Sequence, residues 1–300
     1  ESSMSLAFRI IPRLDIKGPN LVKGINLEGL SVLGKPEHFA KFYYEQGADE
    51  LFFQDVVASL YERSNLLEII ESTAKKIFIP LTVSGGVRSI EDVKEILRAG
   101  ADKVAINTAA IKNPDLLRQA SRVFGSQCIV SSIEAKRLGN GKYEVWVDYG
   151  RQPTGVDVLE WAKRVVDLGV GEIFLSSVDK DGTGEGFELD LIHMVASSVS
   201  IPVIACSGAG QEEDFVQAVK IGLADAVSAA SVFHYKYAEL VDTLIMSYNK
   251  KELRMGEQID SGNIEFIREG YGGNSEIFVN PASIGDVKGL MREEEIFVRV

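Results

Sequence analysis

The sequence predicts a (β/α)8 barrel assembled from two similar halves, and three observations carry that prediction. Short Val/Ile/Leu/Phe runs alternate with amphipathic stretches eight times along 300 residues, the pattern of a closed parallel sheet. Landmarks then recur at nearly one offset. Asp15 and Glu134 are 119 residues apart, and GADELFF and GVGEIFL are 122 apart. Ser84 and Ser207, like Asp102 and Asp225, are 123 apart, which marks a repeat of half a barrel. Finally, glycine turns follow the strand candidates in matched pairs.

Taken in chain order, the strand candidates are 8–14, 50–54, 79–83, 103–106, 127–133, 172–177, 202–206 and 225–229. The stretch SIEDVKEILRAG shows the helical partner of one of them. Its apolar Ile90, Val93, Ile96 and Leu97 fall on one helical face. An open doubly wound sheet would need a glycine-rich dinucleotide turn after the first strand, and RLDIKGPN is not one. The chain therefore reads as a single barrel over residues 6–300, with an insertion at about 236–282 before the last helix. Within it KYAELVDTLIMSYNKKE has helical character and EGYGGNSEIFVNPAS reads as loop. An insertion at that place suits a mouth cover, a docking segment or a surface excursion.

Composition narrows the function. The residues are 45% hydrophobic and 25% charged, with a net charge of −12, which argues against nucleic acid as a partner, since that affinity rests on Lys and Arg. The chain has two cysteines, Cys128 and Cys206, in apolar stretches, as expected of reduced, buried thiols. No secretory signal and no apolar run of about 18 residues is visible. A cytoplasmic protein without a membrane part is expected.

In a barrel of this kind the C-terminal strand ends face the active-site mouth. Asp15 in RIIPRLDIKG and Glu134 in CIVSSIEAKR should face one another there. They are candidates for general acid and base, or alternatively acids paired with Lys17, Lys23 or Lys136. The turn after the third strand, with Gly85 and Gly86, and the turn after the seventh, with Gly208, are candidate phosphate cradles. Two such sites across one mouth suit a substrate with a phosphate at each end. The loop SSVDKDGTGEG reads as mobile and offers Ser176, Asp179, Asp181 and Gly182 to a substrate. Its spacing is not that of a calcium loop. The histidines His38, His193 and His234 lie far apart, so neither a zinc site nor a Ser-His-Asp triad is predicted, and no cofactor is expected. At the opposite end, Arg9, Glu50, Lys103 and Glu172 start the first, second, fourth and sixth strands. On residue type alone they read as a salt-bridge layer.

RIIPRLDIKGPNLVKGINLEGL, GADELFFQDVVAS, GADKVAINTAAIKNP, SIEAKR, SSVDKDGTGEG and AASVFH together resemble the cyclase subunit of imidazole glycerol phosphate synthase. The resemblance runs from about residue 6 to 234 and resumes at 283–300. It implies a barrel paired with a glutaminase at its N-terminal face. Ammonia would travel through the core to a bisphosphorylated imidazole ribonucleotide at the mouth. It implies Asp15 as a catalytic aspartate, Lys23 as a first-loop lysine, Asn107 and Thr108 at one phosphate site, and Gly208, Ala230 and Ser231 at the other. The Arg9, Glu50, Lys103 and Glu172 set becomes the gate of the ammonia passage.

The departures gather at the mouth. Glu134 stands where the family has its second catalytic aspartate, Ser84 and Ser207 replace phosphate-turn glycines, and Tyr149 replaces a small serine. Three readings follow: a working cyclase; a diverged paralogue that passes ammonia to a third, ammonia-consuming protein such as a synthetase amidating a surface sugar; and a scaffold that only activates the glutaminase.

Overall fold

The short motif Ala-Asp before a strand shows how the barrel is clipped together. Asp49 accepts from the Ile10 amide through Oδ2 at 2.8 Å, while its own amide donates to the Ile10 carbonyl at 3.1 Å. Asp102 makes the same two bonds with Leu81, at 2.8 Å each, and Asp225 with Val203, at 2.8 and 3.0 Å. Each clip satisfies the exposed backbone end of one strand from its neighbour, which a buried strand start requires.

The computed structural model describes residues 6–25, 28–56, 63–247 and 279–300. Its strands are β1 (Arg9–Lys17), β2 (Asn20–Ile25), β3 (Glu28–Gly34), β4 (Leu51–Asp55), β5 (Leu81–Ser84), β6 (Lys103–Ile106), β7 (Ile129–Arg137), β8 (Tyr143–Val147), β9 (Gln152–Asp157), β10 (Glu172–Ser177), β11 (Val203–Cys206) and β12 (Ala226–Ala229). The helices are α1 (Pro36–Glu45), α2 (Arg63–Ala74), α3 (Ile90–Ala99), α4 (Thr108–Lys112), α5 (Asp115–Phe124), α6 (Val158–Asp167), α7 (Leu189–Ala196), α8 (Glu212–Lys220), α9 (Ser231–Ser247) and α10 (Ile284–Glu293).

Strands β1, β4, β5, β6, β7, β10, β11 and β12 pair in parallel in that order, and β12 returns to β1, so the sheet closes. This is the predicted eight-stranded barrel. The predicted strands start within two residues of the observed ones, but the first and fifth run on to Lys17 and Arg137. The reason is the same in both halves. Past the barrel rim, β1 pairs antiparallel with β2 and β7 with β8, so each half carries a hairpin above its first strand. The alternating pattern did not reveal these hairpins.

The repeat extends to backbone detail. Gly85 and Gly208 are 123 residues apart and adopt φ of 105° and 104°. A Cβ on either would meet a carbonyl oxygen, of Asp55 at 2.4 Å or of Gly186 at 2.2 Å, so only glycine fits both turns. Helix starts are also legible: Ser89 and Ser283 each form a capping box with an acid three residues on. The predicted insertion begins inside α9, which continues to Ser247. Its residues 248–278 lie outside the described residues.

Candidate active site

Residues two apart on a strand share a face, so the barrel interior is built in layers. The lowest holds Arg9, Glu50, Lys103 and Glu172 in a closed ring. Arg9 Nη1 donates to Glu50 Oε1 at 2.9 Å and Nη2 to Glu172 Oε2 at 2.6 Å. Lys103 Nζ reaches Glu172 Oε1 at 2.5 Å and both Glu50 oxygens at 3.3 Å. Burial raises the Glu172 pKa, but Arg9 and Lys103 outweigh it and hold the group below its ordinary value. Most exposed large apolar side chains among the described residues lie at the same end of the barrel. Leu6, Phe78, Val123, Ile221 and Leu223 are in segments that lead into strands, and Phe297 is in the C-terminal tail, where its carbonyl accepts from the Phe8 amide.

One layer up, Ile11, Phe52, Ala105, Val130, Phe174, Ile204 and Ala226 belong to an apolar cluster of their own. Phe52 on β4 and Phe174 on β10 come from strands on opposite sides of the closed sheet. Their rings stack with centroids 3.8 Å apart and planes 13° from parallel. The barrel axis is therefore filled by two phenyl rings directly above the charged ring. Neither phenylalanine stood out in the sequence, because a barrel core is expected to be apolar.

Above this plug the interior turns polar around Arg13, which the sequence reading passed over. Its guanidinium is buried and grips Asp15 with two bonds, Nε to Oδ1 at 3.0 Å and Nη2 to Oδ2 at 3.1 Å. Nη2 also lies 3.0 Å from Asp181 Oδ2, and Nη1 lies 3.3 Å from Cys206 Sγ. Burial alone would pull the Arg13 pKa down, but Asp15 and Asp181 carry it well above its ordinary value. The sequence offered Lys17, Lys23 and Lys136 as structural partners for the mouth acids. Arg13 takes that place for Asp15. Lys17 is exposed, and Lys136 lies over the Trp146 ring, 4.2 Å from its centroid. Lys23 is in β2, in register with Ser31.

Asp15 ends the barrel part of β1 and Glu134 that of β7, four strands apart around the sheet. Both are buried. The turn joining β8 to β9 reaches over them. Asp148, Tyr149 and Gly150 have φ of 53°, 57° and 70°, costly conformations for the first two that persist only where surroundings enforce them. The turn lays the Tyr149 hydroxyl on Asp15 Oδ2 at 3.1 Å and the Gly150 amide on Glu134 Oε2 at 2.7 Å. Asp148 donates its amide to Thr108 Oγ1 at 3.1 Å. The hairpin of the second half thus roofs the acid of the first. Burial, then the Asp15 charge, push the Tyr149 hydroxyl well above its ordinary pKa, so it remains a proton donor.

Burial also lifts Glu134 to about 7, against the pull of the Gly150 amide, Arg13 and Asn107. A carboxyl poised there can both give and take a proton near neutral pH. Asp15 is clamped by the Arg13 guanidinium and the Tyr149 phenol.

A cavity of about 570 Å³ opens beside Glu134. Ser84, Gly85, Gly86, Asn107 and Thr108 line it, as do Arg88 and Lys112. Asn107 Oδ1 is buried there without a hydrogen-bond partner. The other predicted phosphate turn, with Gly182, Gly208, Ala230 and Ser231, encloses only about 20 Å³. Ser176 is buried in β10, in register with Glu134. The loop after β10, read from the sequence as mobile, is tied to its neighbours at two points. The Asp181 carboxylate is held by Ser207 Oγ at 2.8 Å and by Arg13, and the Gly186 amide bonds the Gly208 carbonyl at 2.8 Å. Asp179 is exposed and caps the Arg137 amide at 2.8 Å instead of facing the mouth. Among the described residues no three His, Cys, Asp or Glu side chains are placed to hold a metal ion, and no helix is long and apolar enough to cross a membrane.

A closed (β/α)8 barrel of two half-barrels carries an ion-pair ring at one end and two buried carboxylates beside glycine turns at the other. The chain belongs to the histidine biosynthesis protein family, whose model matches residues 9–239. It is 58% identical over 207 residues to imidazole glycerol phosphate synthase subunit HisF of Legionella pneumophila, an alignment covering 69% of this chain and 98% of that one. It is therefore a cyclase subunit of the HisF-like kind.

Proposed function

We propose that this chain is the synthase subunit of a glutamine amidotransferase, receiving ammonia from a glutaminase docked at the N-terminal end of the barrel. The observation that carries this reading is the closed ring of Arg9, Glu50, Lys103 and Glu172. Four charges of alternating sign pointing inward, framed by exposed apolar side chains, suit a gated entrance under a partner protein. The relative named imidazole glycerol phosphate synthase supports the same pairing.

The end chemistry has diverged in our reading. A cyclase needs two carboxylates free to move protons. Here Arg13 and Tyr149 occupy Asp15, Glu134 is a methylene longer, and Ser207 stands in the second phosphate turn. The ammonia then goes to a separate acceptor enzyme. The axis also favours a second reading, a scaffold that only binds and activates the glutaminase. Ammonia leaving the ring meets the Phe52–Phe174 stack and passes only if the two rings part.

The test is turnover of the bisphosphorylated imidazole ribonucleotide, followed by absorbance, with saturating ammonium salt so that no glutaminase is needed. Loss of positioning at a reacting centre costs orders of magnitude, so the expected rate is at least about 1,000-fold below a working cyclase. Glu134→Asp alone should not restore it, because Arg13 and Tyr149 remain. A family-like rate in either protein would overturn the divergence. To separate the scaffold, Lys103→Met should abolish ammonia transfer while leaving glutaminase binding intact. If no acceptor reaction responds to that change, the scaffold stands.

A further inference from the structure

The two phosphate turns that the sequence repeats are not equivalent once folded. The first, Ser84 to Gly86 with Asn107 and Thr108, opens onto the 570 Å³ cavity. The second has about 20 Å³, room for roughly one water molecule. Two side chains close it. Ser207, held at φ 81°, turns its hydroxyl onto Asp181 Oδ2, and Arg13 places Nη2 on the same oxygen. An anion entering there meets the Asp181 carboxylate, and displacing Arg13 would strand two buried acids, which is strongly unfavourable.

We propose that the mouth takes a hydroxyl-bearing ligand with one phosphate instead of two, and that Ser207 with Arg13 sets this choice. The phosphate sits at the Gly85–Gly86 turn and Thr108, with Lys112 at the rim. The unpartnered Asn107 Oδ1 accepts from a ligand hydroxyl, and Glu134 lines the same cavity. The inference rests on the mouth remaining a ligand site, and it departs from the two-phosphate ligand that the symmetry of the sequence implies.

Inorganic phosphate titrated into the full chain and followed by phosphorus NMR is the first probe. A single site per chain is expected, weakened about tenfold by Thr108→Ala through the lost hydroxyl contact and untouched by Ser231→Ala. Ser207→Gly, a residue suited to that backbone angle, combined with Asp181→Asn should open a second site without unfolding the protein. The second change removes the repelling carboxylate and leaves Arg13 its Asp15 partner. Ribose 5-phosphate and ribulose 1,5-bisphosphate form the second pair of probes and should bind within about threefold of each other, a gap of under 1 kcal/mol. Two phosphate sites in the native chain, or a bisphosphate preference of about a hundredfold (near 3 kcal/mol), would overturn this proposal alone. No phosphate binding at all would overturn it together with the mouth as a ligand site. The glutaminase pairing is read separately, through Lys103→Met.

Discussion

Replacing Arg13 by alanine should lower the stability of the protein by about 3–5 kcal/mol, the cost of leaving buried charges without their partner. The side chain is only 4% exposed, and its guanidinium is the counter-charge of both Asp15 and Asp181. With it removed, two carboxylates remain in a region shut from water by the Tyr149 roof and the aromatic plug. Urea unfolding at pH 7.5 measures the loss as a shift in midpoint. The charge argument makes a second demand. Combining Arg13→Ala with Asp15→Asn and Asp181→Asn should recover most of that loss, because amides do not need a counter-ion. If the triple variant is as unstable as the single one, packing of the Arg13 stem is the cause and charge is not.

The second large effect depends on pH. Burial raises Glu134 from its ordinary 4.5 to about 7. Below pH 4.5 the carboxyl is protonated in the folded and unfolded chain alike, and it costs nothing. Between pH 4.5 and 7 only the unfolded chain ionises, so stability falls as pH rises. Above pH 7 the penalty is complete, about 3 kcal/mol. Glu134→Gln removes the titration and can keep an oxygen for the Gly150 amide. The variant should match the native chain near pH 4.5, within about 1 kcal/mol, and exceed its stability by about 3 kcal/mol at pH 8. Thermal melts across that range provide the check. A difference that stays flat with pH would mean that Arg13 keeps Glu134 ionised throughout.

These two residues differ in how visible they were. Glu134 was legible because its counterpart Asp15 sits in a matching phrase 119 residues away, and the exchange of one acid for a longer one stands out. Arg13 sits in the same phrase, yet it carried no signal, since a cation two residues before an acid is ordinary in sequence. Only closure of the barrel brings Asp181 against it. The ring of Arg9, Glu50, Lys103 and Glu172 was readable for the opposite reason: each member occupies the same place at the start of a strand. Phe52 and Phe174 occupy the equivalent place one layer higher, but apolar residues are the default there, and nothing local distinguishes packing from a plug.

By itself the sequence determined the eight-strand order, the two-half repeat, the Ala-Asp clips and the glycine turns. All of these follow from periodicity and from backbone angles that one residue type tolerates best, and such local demands are written residue by residue. Tertiary structure alone decided which repeated features stay equivalent. Two turns with nearly the same letters became an open cavity and a filled one, because Arg13 and Ser207 meet Asp181 from three different strand ends. Contacts between distant segments depend on the closed geometry of the sheet, and a pattern read along the chain does not contain them.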